Sequence, residues 1–253
     1  MIRFDQVSKF YGSVPALRDF SLEAEKGETV VLLGLSGSGK TTTLRMVNGM
    51  VMPSSGQVMV RGCDVSDWPL IDLRRSIGYV IQEVGLFPHW TVAQNVGMLP
   101  KVVEWDSKKT RQRVEELLEL VRLPYSDYAL RYPSELSGGE AQRVGVARAL
   151  ALKPDILLMD EPFGALDTIT RHHTQTQFLQ INAEQNVTTL FVTHDIQEAF
   201  RIGDRIVIMK EGSMVEMGTP EALLENQESD YTQELLVSVT LQFSGEEKDD
   251  ITR

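Results

Sequence analysis

The stretch GLSGSGKTT runs from Gly34 to Thr42 and fits the spacing G-x-x-x-x-G-K-[ST] over Gly34 to Thr41. Glycines at these positions let backbone N–H groups turn inward around phosphate oxygens, and a helix start adds partial positive charge. Gly34, Ser36, Gly37, Ser38 and Gly39 would form the cradle. Lys40 would reach the β- and γ-phosphates of a nucleotide, the Thr41 hydroxyl would take Mg2+, and Thr42 follows directly. The blander reading is a glycine-rich turn. A buried-looking run before the loop and helical spacing after it favour the phosphate site.

A second candidate is ILLMDE, Ile156 to Glu161. Four apolar residues ending in two carboxylates suit a buried strand that delivers both acids to its C-terminal edge, where ligands sit in open parallel sheets. Asp160 would hold Mg2+, directly or through water, and Glu161 would act on the attacking water. Alone, such a strand is weak evidence; together with the Lys40 loop it points to nucleoside triphosphate hydrolysis. A third stretch, SELSGGEAQR, resembles another phosphate grip. One triphosphate does not need two cradles, so the Ser137 loop fits a nucleotide held by another copy of the chain, in a two-fold dimer. A local reading also holds: Ser137 as N-cap and Glu140 three residues on make a capping box. Capping leaves the N–H groups of Gly138 and Gly139 pointing outward.

The elements that position these residues alternate in type. IRFDQVSKFYG and LRDFSLEAEKGE read as N-terminal strands and TVVLLG as a buried strand. KTTTLRMVNGM has helical spacing of Leu44, Val47 and Met50. From about residue 86 to 153 the pattern is helical, with Ser107 as a candidate N-cap before Val114, Leu117, Leu118 and Val121. Strands alternating with helices resume after that. The expectation is an α/β fold of the P-loop NTPase kind: a mainly parallel core sheet, an N-terminal antiparallel β subdomain and an inserted helical lobe. The helical lobe would lie at about 86–153; residues 226–253 read as an acidic C-terminal segment, partly tail, after a nucleotide-hydrolysing domain of residues 1–225. For YTQELLVSVTLQF, helix and strand stay open.

Bulk properties narrow the function. A net charge of -11 argues against a broad nucleic-acid footprint. No run approaches a membrane span of roughly 18 apolar residues. MIRFDQVSKF lacks a charged-then-apolar leader, which makes the cytoplasm the default. The single cysteine, Cys63, excludes an internal disulfide framework and reads as a small buried or half-buried hydrophobe.

The order of the Lys40 loop, Gln82, LSGGE, ILLMDE, GALD and THD resembles the ATP-binding subunits of ABC transporters. The resemblance covers roughly residues 1 to 225 and implies ATP and Mg2+ as cofactors. It makes Tyr11 the aromatic that stacks on adenine. Gln82 would contact Mg2+ and the water and sense the membrane partner, and Asp167 would pair across the dimer. His194 would contact the γ-phosphate and help Glu161 place the water. Without the resemblance, Tyr11 would be packing, Gln82 polar surface, Asp167 a helix N-cap and His194 a structural histidine. His172 and His173 match no motif and read as surface residues.

The segment YVIQEVGLFPHWTVAQNV is similar to the ATPases of quaternary-amine importers, which take up glycine betaine, choline, carnitine or proline betaine. There the segment after the glutamine docks on the permease, which places Pro88, His89, Trp90 and Thr91 at that surface. The implied partners are a second copy, transmembrane permease subunits and, indirectly, a periplasmic or lipoprotein solute-binding protein, with no nucleic acid. The implied location is peripheral, on the cytoplasmic face of the inner or plasma membrane. Two other readings share the chemistry: the ATPase of an exporter or lipid-extracting complex, and a soluble ABC ATPase acting on DNA or ribosomes.

Overall fold

The computed structural model describes residues 1–82, 85–164 and 166–237. In chain order it begins with β1 (Ile2–Tyr11), β2 (Val14–Ala24), β3 (Thr29–Leu33), α1 (Lys40–Val47), β4 (Ser55–Val60) and β5 (Cys63–Asp64). Next come α2 (Leu70–Ser76), β6 (Ile77–Val80), α3 (Val92–Val96), α4 (Met98–Val102), α5 (Ser107–Leu120), α6 (Tyr125–Tyr128), α7 (Gly138–Ala149), β7 (Ile156–Asp160) and α8 (Thr168–Gln185). The last are β8 (Thr188–Thr193), α9 (Ile196–Ile202), β9 (Arg205–Lys210), β10 (Ser213–Gly218) and α10 (Pro220–Glu225). Two compact units divide the chain: Met1–Ser66 with the chain from Leu190 onward, and Asp67–Thr189.

The first unit holds an antiparallel sheet of order β2-β1-β4-β5. The alternation in β1 is real: Ile2, Phe4 and Val7 are buried, and Phe4 packs edge-on against Phe20 of β2 at 5.4 Å between ring centroids. In the same unit β3 runs parallel to β9, with Val31 opposite Ile206 and Leu33 opposite Ile208, and β9 turns back antiparallel into β10. Every residue of β3 is buried, as a strand covered on both faces requires. Each such Val or Leu side chain contributes about 1.5–3 kcal/mol on burial.

In the second unit β6 runs parallel to β7, Ile77 opposite Ile156 through Val80 opposite Met159. Between Val92 and Ala149 its described residues are helices and turns. Val114, Leu117, Leu118 and Val121 are buried, as their spacing predicts. The expected parallel pairing, antiparallel N-terminal sheet and helical insertion are all present.

Two local expectations differ. The N-cap of α5 is Asp106, not Ser107: its carboxylate accepts from the N–H groups of both Lys108 and Lys109 at 2.9 Å. A carboxylate also complements the helix dipole, which a hydroxyl does less well. Met50 does not extend the buried face of α1. The helix stops at Val47, Gly49 takes a left-handed φ of 64°, and Met50 is left 53% exposed. Of YTQELLVSVTLQF, residues 231–237 are helical and the remainder lies outside the described residues. Cys63 is half-buried, as expected.

Candidate functional site

In the first unit β3 ends at Leu33 and the chain turns through Gly34–Gly39 into α1. Gly39, at the helix N-cap, has φ 99°, and a Cβ there would collide with the Ala16 carbonyl oxygen. Only glycine meets both demands. The N-cap of α1, Gly39, has no side chain to cap it, and a helix start of this kind carries the partial positive charge that suits anions. The loop is braced from behind: the N–H of Gly212, in the β9–β10 turn, donates to the Ser38 carbonyl at 3.2 Å.

Lys40 is only 5% exposed. Its Nζ donates to the carbonyls of Gly34 at 2.7 Å and Leu35 at 2.9 Å, with the Ser38 hydroxyl at 3.4 Å. Three neutral oxygens of the loop itself thus accept from the ammonium. Phosphate oxygens make stronger, charge-assisted partners for it, so the loop fits a nucleotide's phosphates. Thr41 and Thr42 occupy the first turn of α1. At the end of β1 Tyr11 is 54% exposed, with the Lys9 ammonium 5.3 Å from its ring centroid, and its free face suits stacking on a base. His194 is exposed, directly after β8; Asp195 beside it caps α9 by accepting from the Glu198 N–H at 3.1 Å.

In the second unit β7 delivers Asp160 buried at its C-terminal end. At Glu161 the backbone flips to φ 45°, an uncommon value for a residue with a side chain. The Gln82 side-chain amide donates to Glu161 Oε2 at 3.1 Å. Two residues far apart in sequence thus meet, and the amide helps to set the carboxylate's direction. Among the described residues no cluster of three His, Cys, Asp or Glu could hold a metal. Within this unit the Asp160 carboxylate and the Gln82 amide oxygen are hard donors of the kind Mg2+ takes beside substrate phosphates, typically with one or two carboxylates.

Helix α7 starts as the sequence predicts. Ser137 Oγ accepts from the Glu140 N–H at 3.3 Å, and Glu140 Oε2 accepts from the Ser137 N–H at 2.7 Å. Ser137 and Gly138 remain exposed. Gly139 faces Thr170 of α8 so closely that a Cβ would strike the threonine methyl. Asp167 caps α8, and the Thr170 hydroxyl and N–H hold its carboxyl below the usual range. The motifs of Ser137–Glu140 and Asp167 are therefore neighbours. Replacing Glu140 by Ala is expected to lower thermal unfolding stability by about 1 kcal/mol or more, and Gln, which can still complete the box but not both oxygens' bonds, by less. Equal melting temperatures for the two variants would contradict this.

A family model described as ABC transporter matches residues 17–164. The chain belongs to the ABC transporter family. It is 46% identical, over 93% of its length, to the glycine betaine/carnitine/choline transport ATP-binding protein OpuCA of Bacillus subtilis, and covers 62% of that protein. It therefore spans less than two thirds of that relative. To the glycine betaine uptake system ATP-binding protein YehX of Escherichia coli it is 44% identical, over 92% of this chain and 76% of the other. Among solved structures, the dimeric ATP-binding cassette MJ0796 bound to ADP and Pi is 33% identical with a TM-score of 0.78, covering 87% of this chain and 99% of that one.

Several residues of this ABC transporter family chain organise the site without any signal in the sequence. The Tyr128 hydroxyl donates to Glu140 Oε1 at 2.6 Å. That bond is the main cause holding the Glu140 carboxyl below its usual 4.5, and it pushes the Tyr128 phenol above its usual 10.0. The depressed acid keeps the contact down to pH values below 4.5, and the raised phenol keeps it up to values above 10.0, so it persists through neutrality. Arg148, near the far end of α7, donates to the Gly85 carbonyl at 2.7 Å, tying that helix to the segment after Gln82. Asn95 is fully buried and gathers the 87–91 turn: its amide nitrogen donates to the carbonyls of Phe87, Trp90 and Thr91, and its oxygen accepts from the Phe87 N–H. Phe87 and Trp90 stay 43% and 40% exposed, their rings 4.8 Å apart. Beside them lies an open groove of about 800 Å³ lined by Trp90, Gln94, Met98, Lys101, Trp105 and Tyr125. His172 and His173 are exposed on α8 with their rings perpendicular, as surface residues.

Proposed function

We propose that this chain is the ATP-hydrolysing subunit of an importer for a small quaternary-amine osmolyte of the glycine betaine, choline, carnitine or proline kind. The observation that carries the reading is the identity of 46% over 93% of the chain to a glycine betaine/carnitine/choline transport ATP-binding protein. In this reading the chain sits on the cytoplasmic face of the membrane, bound to permease subunits. Consistent with a peripheral position, no helix among the described residues is long and apolar enough to cross a membrane. Residues 1–225 form the ATPase domain.

MgATP supplies two phosphoanhydride bonds and a metal that draws charge from them. The chain's own residues position the substrate and accept a proton. Tyr11 stacks on adenine, and Gly34, Ser36, Gly37, Ser38 and Gly39 with Thr42 hold the phosphates. Lys40 neutralises the β- and γ-oxygens. Thr41, Gln82 and Asp160 would hold the metal. Glu161, aimed by Gln82 and assisted by His194, takes the proton of the attacking water. Ser137–Glu140 and Asp167 act across the interface of a dimer, completing the site of the second copy.

The turn that carries Phe87, Pro88, His89, Trp90 and Thr91, together with its adjoining groove, is the permease-docking surface; a solute-binding protein acts through the permease. Co-purification of the permease, followed by uptake assays across betaine, choline, carnitine and proline, tests the reading. Recovery of ribosomes or DNA in place of a permease would overturn it. Trp90→Ala is expected to reduce the co-purified permease by about 30-fold in affinity, the loss typical of a buried aromatic anchor of roughly 2 kcal/mol. Undiminished recovery would move the docking surface elsewhere.

A further inference from the structure

We infer that Tyr128 is a positioning residue for the exposed Ser137–Gly139 turn, holding it from α6 through the Glu140 carboxylate. The inference rests on the proposed role of that turn as a grip for the second copy's nucleotide.

A capping box uses only one carboxylate oxygen. Here Glu140 Oε2 meets the Ser137 N–H at 2.7 Å, as the box requires, and Oε1 takes the Tyr128 hydroxyl at 2.6 Å. The second distance falls in the short range of charge-assisted O–H···O bonds. The phenol is itself fixed. Arg131 lies over its ring at 4.2 Å, and Arg131 Nε donates to the Asp127 carbonyl at 2.9 Å. Helix α6 is anchored at its start, where the Tyr125 N–H donates to Glu119 Oε1 at 3.1 Å. On the other side Gly139 abuts Thr170. The turn is thus held from α6 and from α8, while Ser137 and Gly138 face outward. Helix capping needs neither hold. An outward-facing turn that must meet a ligand in one orientation needs both.

Tyr128→Phe removes one hydroxyl and keeps the ring beneath Arg131. In the resting chain, hydrogen–deuterium exchange at the Glu140 and Ala141 amides should quicken by about 10-fold, the local cost of one charge-assisted bond. ATP affinity of the isolated chain, set by the Lys40 loop, should not change. In a Glu161→Gln background, the MgATP concentration needed for dimer formation should rise about 10-fold, and turnover of the single variant should fall by a similar factor. Unchanged exchange would overturn the inference. So would a loss of ATP affinity and melting temperature matching the loss of turnover, because that is general destabilisation. A wild-type chain without ATP hydrolysis would remove the functional reading, and the exchange arm alone would then decide the role of Tyr128.

Discussion

Glu161→Gln is expected to lower ATP turnover by about 10³-fold, inside the 10²–10⁴-fold range of a positioned general base. The substitution is nearly isosteric. Gln tolerates the left-handed backbone at this position, φ 45°, as poorly or as well as Glu does, so the turn after β7 should persist. Its amide can still accept from Gln82, which now meets the carboxylate at 3.1 Å. What disappears is the capacity to take a proton. The Lys40 loop keeps its own residues and hydrogen bonds, so MgATP should still bind and, unhydrolysed, hold two copies together. Phosphate-release kinetics and light scattering at saturating MgATP measure the two effects. A variant that stays monomeric would refute the sandwich, and one with turnover close to wild type would assign the base to another residue.

Local chemistry was legible in the sequence. TVVLL reads as a strand buried on both faces, and all five residues are buried. Ser137 and Glu140 stand at i and i+3, a spacing that a helix start converts directly into a box. Asp106 was obscured by Ser107 because either can cap, and only the geometry shows the carboxylate reaching two N–H groups. Contacts that close over irregular turns left no trace. Tyr128 precedes Glu140 by a 3-10 turn and an extended stretch, and Arg148 reaches Gly85 across the chain. Asn95 reads as one polar residue in a helix, yet it bonds four backbone groups of the preceding turn. No periodicity encodes such pairs; they exist because buried polar groups must find partners once the helices have packed.

Lys40→Met should weaken MgATP binding by at least about 10²-fold, equivalent to roughly 3 kcal/mol, and leave turnover undetectable. The residue is 5% exposed, so its stem is packed, and methionine preserves most of that apolar volume. The charge is lost, and with it the donor now shared by the Gly34 and Leu35 carbonyls and Ser38 Oγ. Leaving such carbonyls unsatisfied costs about 1–3 kcal/mol, so the nucleotide-free chain should also melt several degrees lower. Arginine would not rescue binding: its planar fork is bulkier than an ammonium and cannot sit in the same enclosed loop. Calorimetric titration with MgATP, phosphate release and a melting curve separate the outcomes. Wild-type affinity with no turnover would confine Lys40 to the transition state. Wild-type affinity and turnover together would show that this loop is not where the phosphates bind.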